Sequence, residues 1–137
     1  PFKIGKANIL YDSDKVQVAI ISCGPLTHNA LMAAEELSKE GISCSVLNNH
    51  TIKPIDEQAI IDVAKKAGRV VTVEEHQVAG GMGSAVAEVL SRNHPVPIEF
   101  VGVQDSFGQS GTPSELIEHY GMGVESIKKA VKKVLNR

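Results

Sequence analysis

The sequence predicts an α/β fold: a three-layer α/β/α sandwich built on a five-stranded, mixed and mostly parallel sheet with one antiparallel edge strand. Three observations carry that reading. Short apolar runs rich in β-branched residues recur along the chain, and they alternate with segments whose apolar residues fall at helical spacing. Glycine, proline or a capping residue punctuates the junctions between them. Runs that are apolar throughout, rather than alternating, mark strands covered by helices on both faces.

The elements follow in order. Ala7–Tyr11 supplies a short first strand. The tight Asp12-Ser13-Asp14 turn leads to the next, and so short a connection predicts that these two strands pair antiparallel. Val16–Ser22 is the second strand, broken by Cys23-Gly24-Pro25. A helix is expected from Thr27 to Glu40, with Thr27 as its N-cap and Gly41 as its stop. Ser43–Asn48 reads as the third strand. Asp56 caps the next helix, whose Ile60, Val63, Ala64 and Ala67 recur at helical spacing and which Gly68 ends. Arg69–Glu74 is the fourth strand. Gly80-Gly81-Met82-Gly83 then opens a helix facing inward through Met82, Ala85, Val86, Val89 and Leu90. Pro97–Val103 is the fifth strand. Thr112-Pro113-Ser114-Glu115 joins a capping box to a proline at the first helical position. Gly121 and Gly123 separate that short helix from the last one, striped by Ile127, Ala130, Val131, Val134 and Leu135.

Length and composition narrow the function. A chain of 137 residues reads as one domain, 1–137, able to bury a core without disulfide staples. A net charge of −2, with three Phe, two Tyr and no Trp, gives neither the basic footprint nor the stacking platform of a nucleic-acid binder. No run approaches the ~18 apolar residues of a membrane span, and nothing resembles a secretory signal, so a cytoplasmic setting is expected. Cys23 and Cys44 are then expected as free thiols, on the order of 15 Å apart at opposite ends of neighbouring parallel strands. The chain begins at Pro1 and reads as one piece of a longer polypeptide.

Chemistry in open α/β sheets gathers beyond the carboxyl ends of the strands. Here that edge carries Cys23-Gly24-Pro25, Asn49-His50-Thr51, Glu75-His76-Gln77 and Asp105–Gly111. The Gly80–Gly83 turn could offer backbone amides to an anion. It lacks the third glycine of a dinucleotide fingerprint, and no Walker lysine follows. Glycines for tight turning and close helix–sheet contact are the plainer explanation. Glu74-Glu75-His76 could serve proton transfer, but neighbouring strand residues face opposite ways, so Glu74 and Glu75 do not converge. A buried hydrogen-bonding or interface role suits them better. The five histidines form no i, i+4 pair and no zinc spacing with cysteine. Ser110 sits in a glycine loop without a base. No catalytic, cofactor-binding or metal residue is assigned; the interface or ligand candidates are Glu75, His76, Gly80, Gly81 and Ser110. Lys128, Lys129, Lys132, Lys133 and Arg137 read as a solvated basic face on the last helix.

Four motifs in order carry a family resemblance across nearly the whole chain. Phe2–Ala7 looks like the entry into the third domain of transketolases. Gly41-Ile42 with Asn49–Asp56 resembles that family's TIKPLD stretch, and Val73–His76 with Gly80–Val86 resembles its VEEHxxxGGxGSAV signature. Asp105–Pro113 with Glu115-Leu116 resembles its DxFGxSGxPxEL segment. The wording is most similar to the C-terminal subunit of split prokaryotic transketolases. The resemblance implies an assembly domain, with a possible regulatory role, in an enzyme that moves two-carbon ketol units between sugar phosphates. Thiamine diphosphate and magnesium would sit in the complete enzyme and none in this segment, which alone would be inactive. Its partners would be the N-terminal and pyrimidine-binding domains, or a subunit carrying them, within a homo-oligomer. Related alternatives are the β subunit of 2-oxoacid dehydrogenase E1 and 1-deoxyxylulose-5-phosphate synthase. The synthases usually carry asparagine at the position of His76. An alternative of another class is a free-standing anion- or nucleotide-binding module using the Gly80–Gly83 turn.

Overall fold

Five short runs become five strands, the central ones buried on both faces and the two edge strands only in part. The computed structural model describes residues 7–23, 26–49, 55–74, 81–102 and 123–137. The strands are β1 (Asn8–Tyr11), β2 (Val18–Ser22), β3 (Cys44–Asn48), β4 (Val70–Glu74) and β5 (Ile98–Gly102), in the spatial order β1-β3-β2-β4-β5. Every residue of β2 and β4 is buried. Val18, Ile20, Val71 and Val73 face one core, shared with α1 (Thr27–Lys39) and α4 (Val124–Leu135). Ala19, Ile21 and Val70 face the other, shared with α2 (Glu57–Ala67) and α3 (Met82–Asn93). Two cores on one sheet explain why the strand sequences do not alternate.

The parallel pairs are β2–β3, β2–β4 and β4–β5. The antiparallel strand exists, but its partner is β3 and not the β2 that follows it. The reason is geometric: both edges of β2 are occupied by β3 and β4, so β1 can join only outside β3. Residues 12–17 then need to cross about 10 Å, two strand spacings, which six extended residues do easily. Asn8 opposes Asn48 and Tyr11 opposes Val46, with a bulge between Ile9 and Tyr11. A short, bulged strand is a common way to blunt a sheet edge.

Helix α2 follows its sequence signals. Asp56 accepts from the Ala59 amide at 3.2 Å and from the Ala7 amide at 3.0 Å, so the cap also ties down the approach to β1. Ile60, Val63, Ala64 and Ala67 are buried, and Gly68 closes the helix at φ 80°. Helix α1 differs from expectation: Leu26 holds the N-cap position and Thr27 is already helical. The Thr27 hydroxyl instead accepts a hydrogen bond from Ser22 Oγ at 3.2 Å, linking the helix start to the end of β2. In α3, Gly83 is buried where Ala85 was expected to be, and Ala85 is half-buried. Ile127, Val131 and Val134 form the buried stripe of α4, with Ala130 and Leu135 packed beside it.

The basic face of α4 is not simply solvated. Lys128 is only 12% exposed and meets Glu40 at 2.7 Å, Glu36 at 3.2 Å and Glu125 at 3.7 Å. Lys132 also meets Glu40, at 2.8 Å, while Lys133 and Arg137 both reach Glu99 on β5. The cations therefore stitch α4 to α1 and to the β5 edge. Hydrogen bonds from Lys128 and then Lys132 hold the Glu40 carboxyl down at about 2, and Glu40 and then Glu36 raise the Lys128 ammonium above its ordinary value. Among the described residues no helix is long and apolar enough to cross a membrane. The Thr112 capping box, the end of the Pro97–Val103 run and the short helix after Thr112 lie outside the described residues.

Candidate functional site

The two central strands send their chains to opposite faces. Helix α1 packs on one core and α3 on the other, so the switch point of the sheet lies between the carboxyl ends of β2 and β4. Ser22 and Cys23 come to it from β2 and Glu74 from β4, while Asn48 and Asn49 end the adjacent β3.

Glu74 fills this point. It is 1% exposed, and its Oε1 accepts the Met82 amide at 2.9 Å while its Oε2 accepts the Gly83 amide. Met82 and Gly83 are the first two residues of α3, whose amides have no acceptor within the helix. A carboxylate there also meets the positive end of the helix dipole. Gly81, extended at φ −97°, holds the N-cap position with no side chain to offer, so the acceptor comes from the strand instead. Gly83 is what lets the helix come so close. A Cβ at that position would lie 2.9 Å from Thr72 Oγ1, 2.9 Å from Phe100 Cδ1 and 3.2 Å from Glu74 Oε2. Close helix–sheet contact is therefore the work of this glycine. The amides of Met82 and Gly83 are already taken, which corrects the free-standing anion-binding alternative for this part of the turn.

The neighbouring positions are polar but quieter. Asn49 is 1% exposed; its amide continues the ladder to Ser22 O at 2.9 Å, and its buried Nδ2 has no acceptor among the described residues. Cys23 is half-buried. Cys44 pairs in register with Val18, five positions before Cys23, so the two thiols sit roughly 16 Å apart along the sheet and cannot bridge. Burial pushes the Cys44 thiol up to about 12. Of the sequence candidates, Gly81 is placed at the α3 N-cap; Glu75, His76, Gly80 and Ser110 lie outside the described residues. Glu74 takes the buried hydrogen-bonding role expected of the Glu74–His76 segment, although it is not among the interface or ligand candidates.

A diphosphate and its divalent metal need open amides and a set of oxygen or imidazole ligands. The described residues do not fit such a group. The first amides of α3 are filled from within, and no group of three His, Cys, Asp or Glu converges among the described residues.

Fold and site define an α/β sandwich domain of the doubly wound kind, its switch point closed by its own carboxylate. Residues 5–127 match the family described as "Transketolase, C-terminal domain", and the chain belongs to that family. It is 45% identical over 136 residues to the 6-deoxy-6-sulfo-D-fructose transketolase subunit SqwH of Clostridium sp. (strain MSTE9), covering 99% of this chain and 42% of that protein. It is 40% identical over 132 residues to 1-deoxy-D-xylulose-5-phosphate synthase of Trichormus variabilis, covering 96% of this chain and 20% of that protein. A solved structure described as "Split gene transketolase, inactive beta4 tetramer" aligns with a TM-score of 0.92 at 44% identity, over 98% of this chain and 44% of that one. The chain thus spans less than half the length of these relatives.

Proposed function

We propose that this chain is the C-terminal part of a thiamine diphosphate-dependent transketolase and serves its assembly rather than its chemistry. The observation that carries the reading is the filled switch point. In a domain so similar to a transketolase subunit, the first two amides of α3, where such a fold would take a ligand phosphate, are occupied by Glu74. Thiamine diphosphate and magnesium would supply the carbanion chemistry that moves a two-carbon ketol unit between sugar phosphates, held by the other domains or by a partner subunit. The work of this chain would be structural. Glu74 locks α3 to β4, and the α1–α4 ion pairs keep the opposite layer in register. Glu75 and His76 would then lie at a domain or subunit boundary, with Gly80, Gly81 and Ser110 near it, in a cytoplasmic homo-oligomer. His76→Ala in the assembled enzyme is expected to weaken assembly more than turnover.

The reading is tested by calorimetry with thiamine diphosphate and magnesium. The chain alone should give no binding heat, and the chain with its complementary polypeptide should bind stoichiometrically. Tight, stoichiometric binding by the chain alone would overturn the assignment.

A further inference from the structure

The chain enters the sheet at the carboxyl edge of its parallel strands. β1 runs antiparallel to β3, so its first residue, Asn8, lies opposite Asn48, the last residue of β3. Glu74 ends β4 at the same edge, and the connection from β3 leads from there into α2. The entering strand is by itself a weak anchor. It has four residues, lies outermost in the sheet, and a bulge interrupts its ladder. Two of its four side chains, Ile9 at 55% and Leu10 at 45%, are exposed and add little to holding it.

Asp56 supplies a second hold. An N-cap needs one acceptor oxygen, and Asp56 Oδ1 is that oxygen, accepting the Ala59 amide at 3.2 Å. Its Oδ2 does something a cap does not require: it accepts the Ala7 amide at 3.0 Å, across 49 positions of sequence. A carboxylate acceptor places this bond in the stronger, charge-assisted class. Asp56 is itself fixed, because the helix it caps buries Ile60 and Ala64 completely. Ala7 is half-buried against the same α2–α3 core. The last backbone point before β1 is therefore pinned to a packed helix and not left to a short, bulged strand.

We propose that Asp56 is a positioning residue of the complete enzyme: by holding the Ala7 amide, it fixes the direction from which the preceding polypeptide joins this domain, and so keeps the carboxyl edge of the sheet turned toward the rest of the enzyme. The inference rests on the reading above, in which this segment is the C-terminal part of a longer transketolase.

The test is made on the complete enzyme, with dissociation of the oligomer followed by analytical ultracentrifugation. Asp56→Ser keeps a good N-cap oxygen and removes the second acceptor. Ala7→Pro leaves Asp56 untouched and removes the N–H it holds. Both variants retain the cap of α2, so a role confined to that helix would leave the oligomer as it was. Each should raise the dissociation constant roughly tenfold, the scale of one lost hydrogen bond. The double variant should be no worse than the weaker of the two, because both changes remove the same bond. Asp12→Asn breaks the 3.0 Å pair with Lys66 beyond the other end of β1 and should leave dissociation unchanged. Unchanged dissociation in both single variants, additive losses in the double variant, or an equal loss in Asp12→Asn would each overturn the proposal while the parent still transfers ketol units. A parent without ketol transfer would overturn the reading it rests on, and this inference with it.

Discussion

Replacing Glu74 by glutamine keeps the volume of the side chain and removes only its charge and one acceptor. The carboxylate now accepts two amides at the start of α3, Met82 at 2.9 Å and Gly83 on the other oxygen. Glutamine can satisfy one of them; its amino group must then face the second N–H, donor against donor. The loss is one charge-assisted hydrogen bond, about 1.5–3 kcal/mol, plus about 0.3–1 kcal/mol of charge–dipole attraction. Opposing this, a group only 1% exposed no longer needs its charge desolvated, which offsets part of the loss. The hydrogen-bond term should win, because the two amides remain buried whatever residue faces them. We expect a net destabilisation of about 2–3 kcal/mol, or a fall in Tm on the order of 10 °C for a domain of this size. Urea denaturation followed by far-UV circular dichroism measures it. A midpoint that is unchanged or raised, at an unchanged slope, would show that Glu74 is not what holds α3 to the sheet.

Three further outcomes follow from the same geometry. Gly83→Ala should destabilise by about 1–3 kcal/mol through overpacking, less up to ~1 kcal/mol of helix propensity, because Thr72 is only 1% exposed and cannot yield to a Cβ 2.9 Å away; a raised denaturation midpoint would contradict the close contact. Asp56→Ala should cost about 1–2 kcal/mol and speed hydrogen exchange at both Ala59 and Ala7, whereas acceleration at Ala59 alone would mean the tie to the β1 segment is not made in solution. Glu40 is lowered from 4.5 to about 2 in the folded chain, so its contribution is complete above pH 4.5 and disappears as pH falls toward 2; Glu40→Gln should flatten the stability profile in that window, and an identical acid limb in the variant would refute the Lys128–Glu40–Lys132 cluster.

Local signals were legible where the physics is local. Asp56 and Gly68 bracket α2 because an N-cap carboxylate and a left-handed glycine act within one turn. Strands β2 and β4 announce themselves because β-branched runs buried on both faces have few other uses. What the sequence could not show is which distant groups meet. The partner of β1 depends on β2 having both edges occupied, a property of the whole sheet. Thr27 resembles a cap until Ser22, on another element, takes its hydroxyl. The lysines of α4 look solvated because their carboxylate partners, Glu36 of α1 and Glu40 just past its end, lie far away in the chain. Glu74 left one clue: a helix start with glycine at the N-cap needs an acceptor from elsewhere, and a glutamate ends the strand just before it.

The central claim, that this chain completes a transketolase without holding its chemistry, is tested most directly by reconstitution. Ketol transfer from a sugar-phosphate donor would be measured, with thiamine diphosphate and magnesium present, on this chain alone, on the complementary polypeptide alone, and on the two together. The account predicts turnover only in the mixture, rising to saturation at a fixed ratio of the two chains. Turnover by this chain alone, or full turnover by the complementary polypeptide without it, would contradict it.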